Sequence, residues 1–329
     1  MNPLFGHDAA VAAFRDGLDG GRLHHAWLIS GPQGVGKALF ARKAALRLLA
    51  DAAGPKPSTP GLDVPDDHRI ARLADAGSHP DLVVLERMTK ESGTELARSI
   101  TVQQVRGLQR LFNTTASLSP WRVVIIDAAD DLERSGSNAL LKNLEEPPAN
   151  CLFLLVSHAT ERLLPTIRSR CRQLRLSLLG DEAMTAALTA ALPDADPSEI
   201  ATLREAGQGS PGRAIAFRGL DIDKLDRDLK ELAREGDPTN ARRSKLSQSL
   251  ALKAAQPRYE AFLARAPALI AAETRTRRGQ PLADALRLYE RASELAASAT
   301  RLSLDPQTVA FELGGMIAAL APAGQRATG

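Results

Sequence analysis

The run Gly31-Pro32-Gln33-Gly34-Val35-Gly36-Lys37 fits the pattern G-x-x-x-x-G-K. It stands between an apolar run, Ala26 to Ser30, and a helical periodicity over Lys37 to Ala50. Such a loop needs glycines so that the backbone turns inward and several N–H groups converge on one point at a helix N-terminus. The chain is therefore constrained to a buried strand that feeds a helix, the repeating unit of a parallel sheet covered by helices. Three further apolar runs read as buried strands, Asp81 to Leu85, Arg122 to Asp127 and Cys151 to Ser157, with a weaker one at Arg172 to Leu176. Val102, Val105, Leu108 and Leu111 recur at spacing three behind Thr101, which predicts an N-capped amphipathic helix over Thr101 to Phe112.

Beyond Leu176 the strand signals stop and helical patterns continue. This predicts an α/β domain over 1–176, a small helical domain over 177–237 and an all-α domain over 238–329, the last two parting near Asp237-Pro238. Val309, Leu313, Met316, Ile317 and Leu320 mark the clearest late helix, with Pro306 near its start. The tail Ala321 to Gly329 reads as frayed. Four prolines and two glycines in Asp51 to Asp67 predict an exposed, poorly ordered excursion. A chain of 329 residues with 44% apolar and 25% charged residues excludes wholesale disorder and a lone small module. Its charge of +3 identifies no nucleic-acid binder by itself, and only nine of its 42 basic residues are lysines. Cys151 and Cys171 lie in or beside apolar runs, as buried reduced thiols do, which points to a cytoplasmic protein. The sequence has no apolar run of spanning length and no secretory N-terminus, so no membrane role is expected.

The chemistry turns on the residue after the loop lysine. A nucleotide hydrolase places Ser or Thr there as a magnesium ligand, and here the residue is Ala38. The strand Val123 to Ile126 ends in Asp127, a candidate for orienting the metal. Its neighbour is Ala128, where many hydrolases carry the Glu that positions water. Asp130, Asp131 and Glu133 fall on the next turn by spacing. The candidate nucleotide residues are thus Gly31, Gly34, Gly36, Lys37 and Asp127, with three readings open: a loop kept only for its turn geometry, ATP or ADP bound without turnover, or hydrolysis through a substituted metal shell.

Gly31 to Lys37, His79-Pro80-Asp81, Val123 to Asp127, Asn138 to Lys142 with Leu144 to Pro148, and Ser169-Arg170-Cys171 together resemble the bacterial DNA polymerase III clamp-loader family of the AAA+ class. Within that family, loss of the magnesium hydroxyl and the water-positioning Glu, with Ser-Arg-Cys kept, looks like the delta prime branch rather than the ATPase branches called gamma and tau. The resemblance implies an AAA+ domain, a helical lid and a helical collar, in a hetero-oligomer with gamma/tau and delta subunits. That assembly would act on a sliding clamp and on primer-template DNA held mainly through its phosphates, as part of the polymerase holoenzyme. It implies that Arg170 enters the ATP site of an adjacent subunit, that Arg213 is the lid arginine, and that Ser157-His158 stands at a phosphate-sensor position. It implies the Asn138 to Pro148 segment as an inter-subunit or clamp-side surface, with helix plus turn as the other reading.

Relatives in that family carry a four-cysteine zinc module after the first helix. Asp51 to Ser78 has no cysteine and one histidine, His68, so no zinc is expected. His24, His25 and His79 lack partners at metal-ligand spacing. The rival reading from another class is an active AAA+ motor in its own right, gamma/tau-like or from another replication or repair system, and a third is a purely structural adaptor.

Overall fold

A computed structural model describes residues 3–89, 93, 96–302 and 304–322. The helices of the first part are α1 (Asp8–Asp19), α2 (Lys37–Ala53), α3 (Arg69–Asp75), α4 (Val102–Asn113), α5 (Arg134–Glu145), α6 (Pro165–Ser169), α7 (Asp181–Ala191), α8 (Pro197–Gly207) and α9 (Pro211–Ala216). The strands are β1 (Ala26–Ser30), β2 (Leu82–Glu86), β3 (Arg122–Asp127), β4 (Cys151–Ser157) and β5 (Arg172–Arg175). They form one parallel sheet in the order β2-β3-β4-β1-β5. β1 sits between β4 and β5, with Ala26 beside Phe153 and Trp27 beside Arg172. Every residue of β4 is buried, as continuous apolar strands covered on both faces must be.

Side-chain alternation sends Leu28, Val124, Ile126, Phe153 and Leu155 into one core with Val105 and Leu108 of α4 and Leu140 and Leu144 of α5. An aromatic cluster also forms, where Phe14 of α1 lies 5.3 Å from the Trp27 ring and 6.2 Å from that of Phe40 on α2. Thr101 caps α4 by a reciprocal pair of bonds with Gln104. The second strand starts one residue later than its apolar run predicts because Asp81 is diverted. Its buried carboxylate accepts the backbone N–H groups of Ser117 and Leu118 at 2.8 and 2.9 Å, holding the entry to β3.

The excursion over Asp51 to Asp67 is not loose. Arg47, buried on α2, donates to the carbonyls of Pro57, Thr59 and Asp63 at 3.1, 2.6 and 3.1 Å and pairs with Asp51 at 2.9 Å. Lys43, also buried, reaches Asp63. Proline and glycine counts missed this because the fastening comes from cations on the preceding helix.

The chain divides into two compact units, Met1–Ala214 and Ile215–Gly329. The second contains α10 (Ile222–Glu235), α11 (Ala241–Leu250), α12 (Gln256–Thr274), α13 (Gly279–Leu302) and α14 (Pro306–Ala318). α14 carries the apolar positions expected of the late helix, with Val309, Leu313 and Ile317 buried, and Asp305 caps its start. Arg265 pairs with Asp226 to tie α12 to α10. The tail from 323 onward lies outside the described residues. Cys151 and Cys171 are free and buried, and burial pushes both thiols up to about 12. Among the described residues, no helix is long and apolar enough to cross a membrane and no three His, Cys, Asp or Glu side chains are grouped to hold a metal.

Candidate functional site

The glycine loop leaves the C-terminal end of β1 and enters α2 through Gly36. Gly34 adopts φ +78°, and a Cβ there would lie 2.5 Å from Ser210 Oγ and 2.9 Å from the Arg213 nitrogen. At Gly31 a Cβ would meet the Leu176 carbonyl at 2.1 Å. Both positions thus require glycine, by backbone angle and by space.

Lys37 opens α2 and is buried, with Nζ donating to the carbonyls of Gly31 and Pro32 at 2.7 and 2.6 Å. Burial lowers its pKa to about 8, against the opposing pull of Asp130 and Asp127. Asp127 ends β3, and its carboxyl is shifted upward by burial, with His158, Arg42 and Lys37 partly offsetting that cost. His158 is shifted downward by burial and by Lys37. Lys37, Asp127, Asp130 and His158 therefore share one neighbourhood at the C-terminal end of the sheet.

The remaining acids are committed to structure. Asp130 accepts Ser157 Oγ at 2.6 Å and the backbone N–H groups of His158 and Ala159. Asp131 pairs with Arg87 at 3.1 Å, and Glu133 accepts Ser99 Oγ and the Val102 N–H. Ser157-His158 is thus fastened by Asp130. Ala128 is itself buried. The side chain at position 38 is a methyl group that offers no oxygen to a hard cation.

Ser210 and the first turn of α9 close onto the same loop. Ser210 Oγ donates to the Gln33 carbonyl at 2.8 Å, and the Gly212 N–H donates to the Gly34 carbonyl at 2.8 Å. The Arg213 N–H bonds Ser210 Oγ at 3.3 Å, so its backbone stands beside the loop. Sequence reading missed His7, whose buried ring bonds the Val35 carbonyl at 2.8 Å and braces the loop from 28 residues away. No local signal marks it, since the partner is reached only through the fold.

Arg170 is elsewhere. It follows α6 and stands two residues before β5, whose Arg172 pairs with Trp27 at the beginning of β1. Because β1 and β5 are parallel, Arg170 lies at the N-terminal edge of the sheet and Lys37 at the C-terminal edge, about 10 Å or more apart along the strands. Its side chain is 35% exposed, with Nη1 donating to the Thr166 carbonyl at 3.0 Å and Nη2 paired with Glu145 at 2.7 Å. Glu145 ends α5, in the run that continues Glu146-Pro147-Pro148. The other histidines serve as fasteners, three of them local: His24 bonds the Ala26 carbonyl, His68 caps α3 and His79 accepts the Asp81 N–H, while His25 reaches the distant Leu144 carbonyl.

A family profile described as DNA polymerase III, delta subunit, matches residues 6–179. The chain is 38% identical over 205 residues to DNA polymerase III subunit delta' of Pseudomonas aeruginosa, covering 62% of this chain and 59% of that one. It is 32% identical over 179 residues to DNA polymerase III subunit gamma of Buchnera aphidicola, covering 54% of this chain and 45% of that one. A solved DNA polymerase III gamma subunit-related protein of Thermotoga maritima aligns over 94% of this chain and 99% of its own, at 14% identity and a TM-score of 0.49. The match thus spans 59% and 45% of the two curated relatives' lengths. With a parallel sheet, a glycine loop at the end of its inner strand and a family profile matching more than half its length, the chain belongs to the DNA polymerase III delta-subunit family.

Proposed function

We propose that this chain fills the delta prime position of a cytoplasmic DNA polymerase III clamp loader, does not hydrolyse ATP itself, and lends Arg170 in trans to the ATP site of a neighbouring gamma/tau subunit. The reading carries with it the three-domain division at about 176 and 237, a delta subunit, a sliding clamp and primer-template DNA as further partners, and no zinc. One observation carries it: Lys37 and Arg170 stand at opposite edges of one parallel sheet, so the arginine cannot serve its own glycine loop. A half-exposed guanidinium with five N–H donors suits phosphate oxygens presented by another chain.

The glycine-loop side supports the other half of the reading. Ala38 and Ala128 remove a metal ligand and a water-positioning carboxylate, Lys37 is engaged by carbonyls of its own loop, and Ser210 and Gly212 bond the loop directly. Any ATP or ADP held there would be bound without turnover. The chain then contributes a fixed partner surface and one cation to phosphoryl transfer carried out next door.

The test is a reconstituted complex in which the gamma/tau subunit beside this chain is the one with an intact phosphate-loop lysine. Arginine fingers contribute about 10³- to 10⁵-fold in well-studied hydrolases. Arg170→Ala is expected to lower DNA-stimulated turnover at that site by about 10³-fold with assembly intact. Unchanged turnover in the assembled complex would exclude the finger, and magnesium-dependent turnover by the isolated chain that Lys37→Ala abolishes would make the protein a motor.

A further inference from the structure

Glu145 is the last residue of α5, and its carboxylate meets the guanidinium of Arg170 at 2.7 Å across the N-terminal edge of the sheet. The second hold on the same group is the Thr166 carbonyl of α6, at 3.0 Å from Nη1. The two acceptors take two of the five guanidinium donors and leave three. Both acceptors are themselves fixed. α5 is anchored through buried Leu140 and Leu144, and α6 through buried Ile167. A free arginine side chain has rotamer entropy to lose when it is ordered on a phosphate. An arginine already held from two directions has lost part of that freedom before the neighbouring site arrives.

We propose that Glu145 is a positioning residue for Arg170, holding the guanidinium extended from the sheet edge so that its remaining donors meet the phosphates of the adjacent subunit's nucleotide. This rests on the proposed trans role of Arg170. The carboxylate touches no nucleotide; it acts through the arginine by orientation. The pair is half-exposed, 35% for Arg170 and 46% for Glu145, so its coupling falls in the range of surface ion pairs, up to about 1 kcal/mol, which is about fivefold in rate.

The experiment is a double-mutant cycle in the same reconstituted complex. Glu145→Ala is expected to lower kcat for DNA-stimulated ATP turnover about fivefold, with KM for ATP, complex assembly and the melting temperature of the free chain unchanged. Glu145→Gln, which keeps an acceptor oxygen, is expected to recover part of the loss. Combined with Arg170→Ala, Glu145→Ala is expected to add nothing, because a positioning residue has no effect without the group it positions. Full activity in Glu145→Ala, with Arg170→Ala still impaired, would sink the positioning role and leave the trans reading standing. Losses that add in the double variant would place the effect of Glu145 elsewhere and also overturn the proposal. No loss in Arg170→Ala would end both.

Discussion

Lys37 illustrates how much one residue's chemistry depends on where the fold puts it. Its ammonium lies against two carbonyls of its own loop, and burial lowers its pKa from 10.5 to about 8. Between those values the unfolded chain holds a proton on Lys37 that the folded chain has released, so this group's contribution to stability rises as pH rises from about 8 to about 10.5. Denaturant unfolding of the native chain and of Lys37→Met across that window should therefore diverge, the native chain gaining relative to the variant with pH; parallel curves would contradict the buried ammonium. Asp81 is a second residue-scale case. Each bond from a charged group to a backbone donor is worth about 1.5 to 3 kcal/mol, so Asp81→Ala, which strips two, is expected to destabilise the chain by about 3 to 6 kcal/mol in a chemical melt. The sequence marked both residues inside motifs, and only the packed structure separates the loop lysine from the loop-fastening aspartate.

At the scale of elements, α2 does two jobs. Its first residue is the loop lysine, and further along the helix Lys43 and Arg47 reach sideways to pin residues 57–63. The Arg47 guanidinium gathers three carbonyls and a carboxylate. Arg47→Met is expected to cost about 3 kcal/mol, since it leaves Asp51 and those carbonyls short of partners. It should also raise amide exchange over 57–63 before the sheet is affected; unchanged exchange there would remove Arg47 from this role. A chelator is expected to leave the melting temperature of the native chain unchanged, and stoichiometric zinc in washed protein would contradict the no-zinc reading. The five strands and the helices α2, α4 and α14 were legible because burial on both sheet faces and on one helix face imposes continuous apolar runs and a period of 3.6 on the sequence. The 51–67 excursion was misread because a loop held by distant cations has the composition of a loop held by nothing.

For the whole molecule, the balance of 42 basic to 39 acidic residues gives no large field to concentrate DNA. The isolated chain is expected to bind primer-template no tighter than about 10⁻⁶ M at physiological salt, without sequence preference and weakening steeply as salt rises. A sequence-selective, salt-insensitive affinity in a binding titration would call for base contacts that the proposed role does not use. The sequence by itself determined the parallel α/β class, the strand that feeds the glycine loop, the alanines at positions 38 and 128, and the motif that contains Arg170. These are local properties, set by periodicity and by the identity of single residues. Only the tertiary structure decided that Arg170 and Lys37 occupy opposite edges of the sheet, that Glu145 and Thr166 hold the arginine, that Ser210 and Gly212 close on Gln33 and Gly34, and that His7 braces Val35. Those relations join residues that parallel strand order and helix packing bring together, and the physical reason is that a sheet's edges and neighbours are fixed by long-range burial, which spacing along the chain does not record.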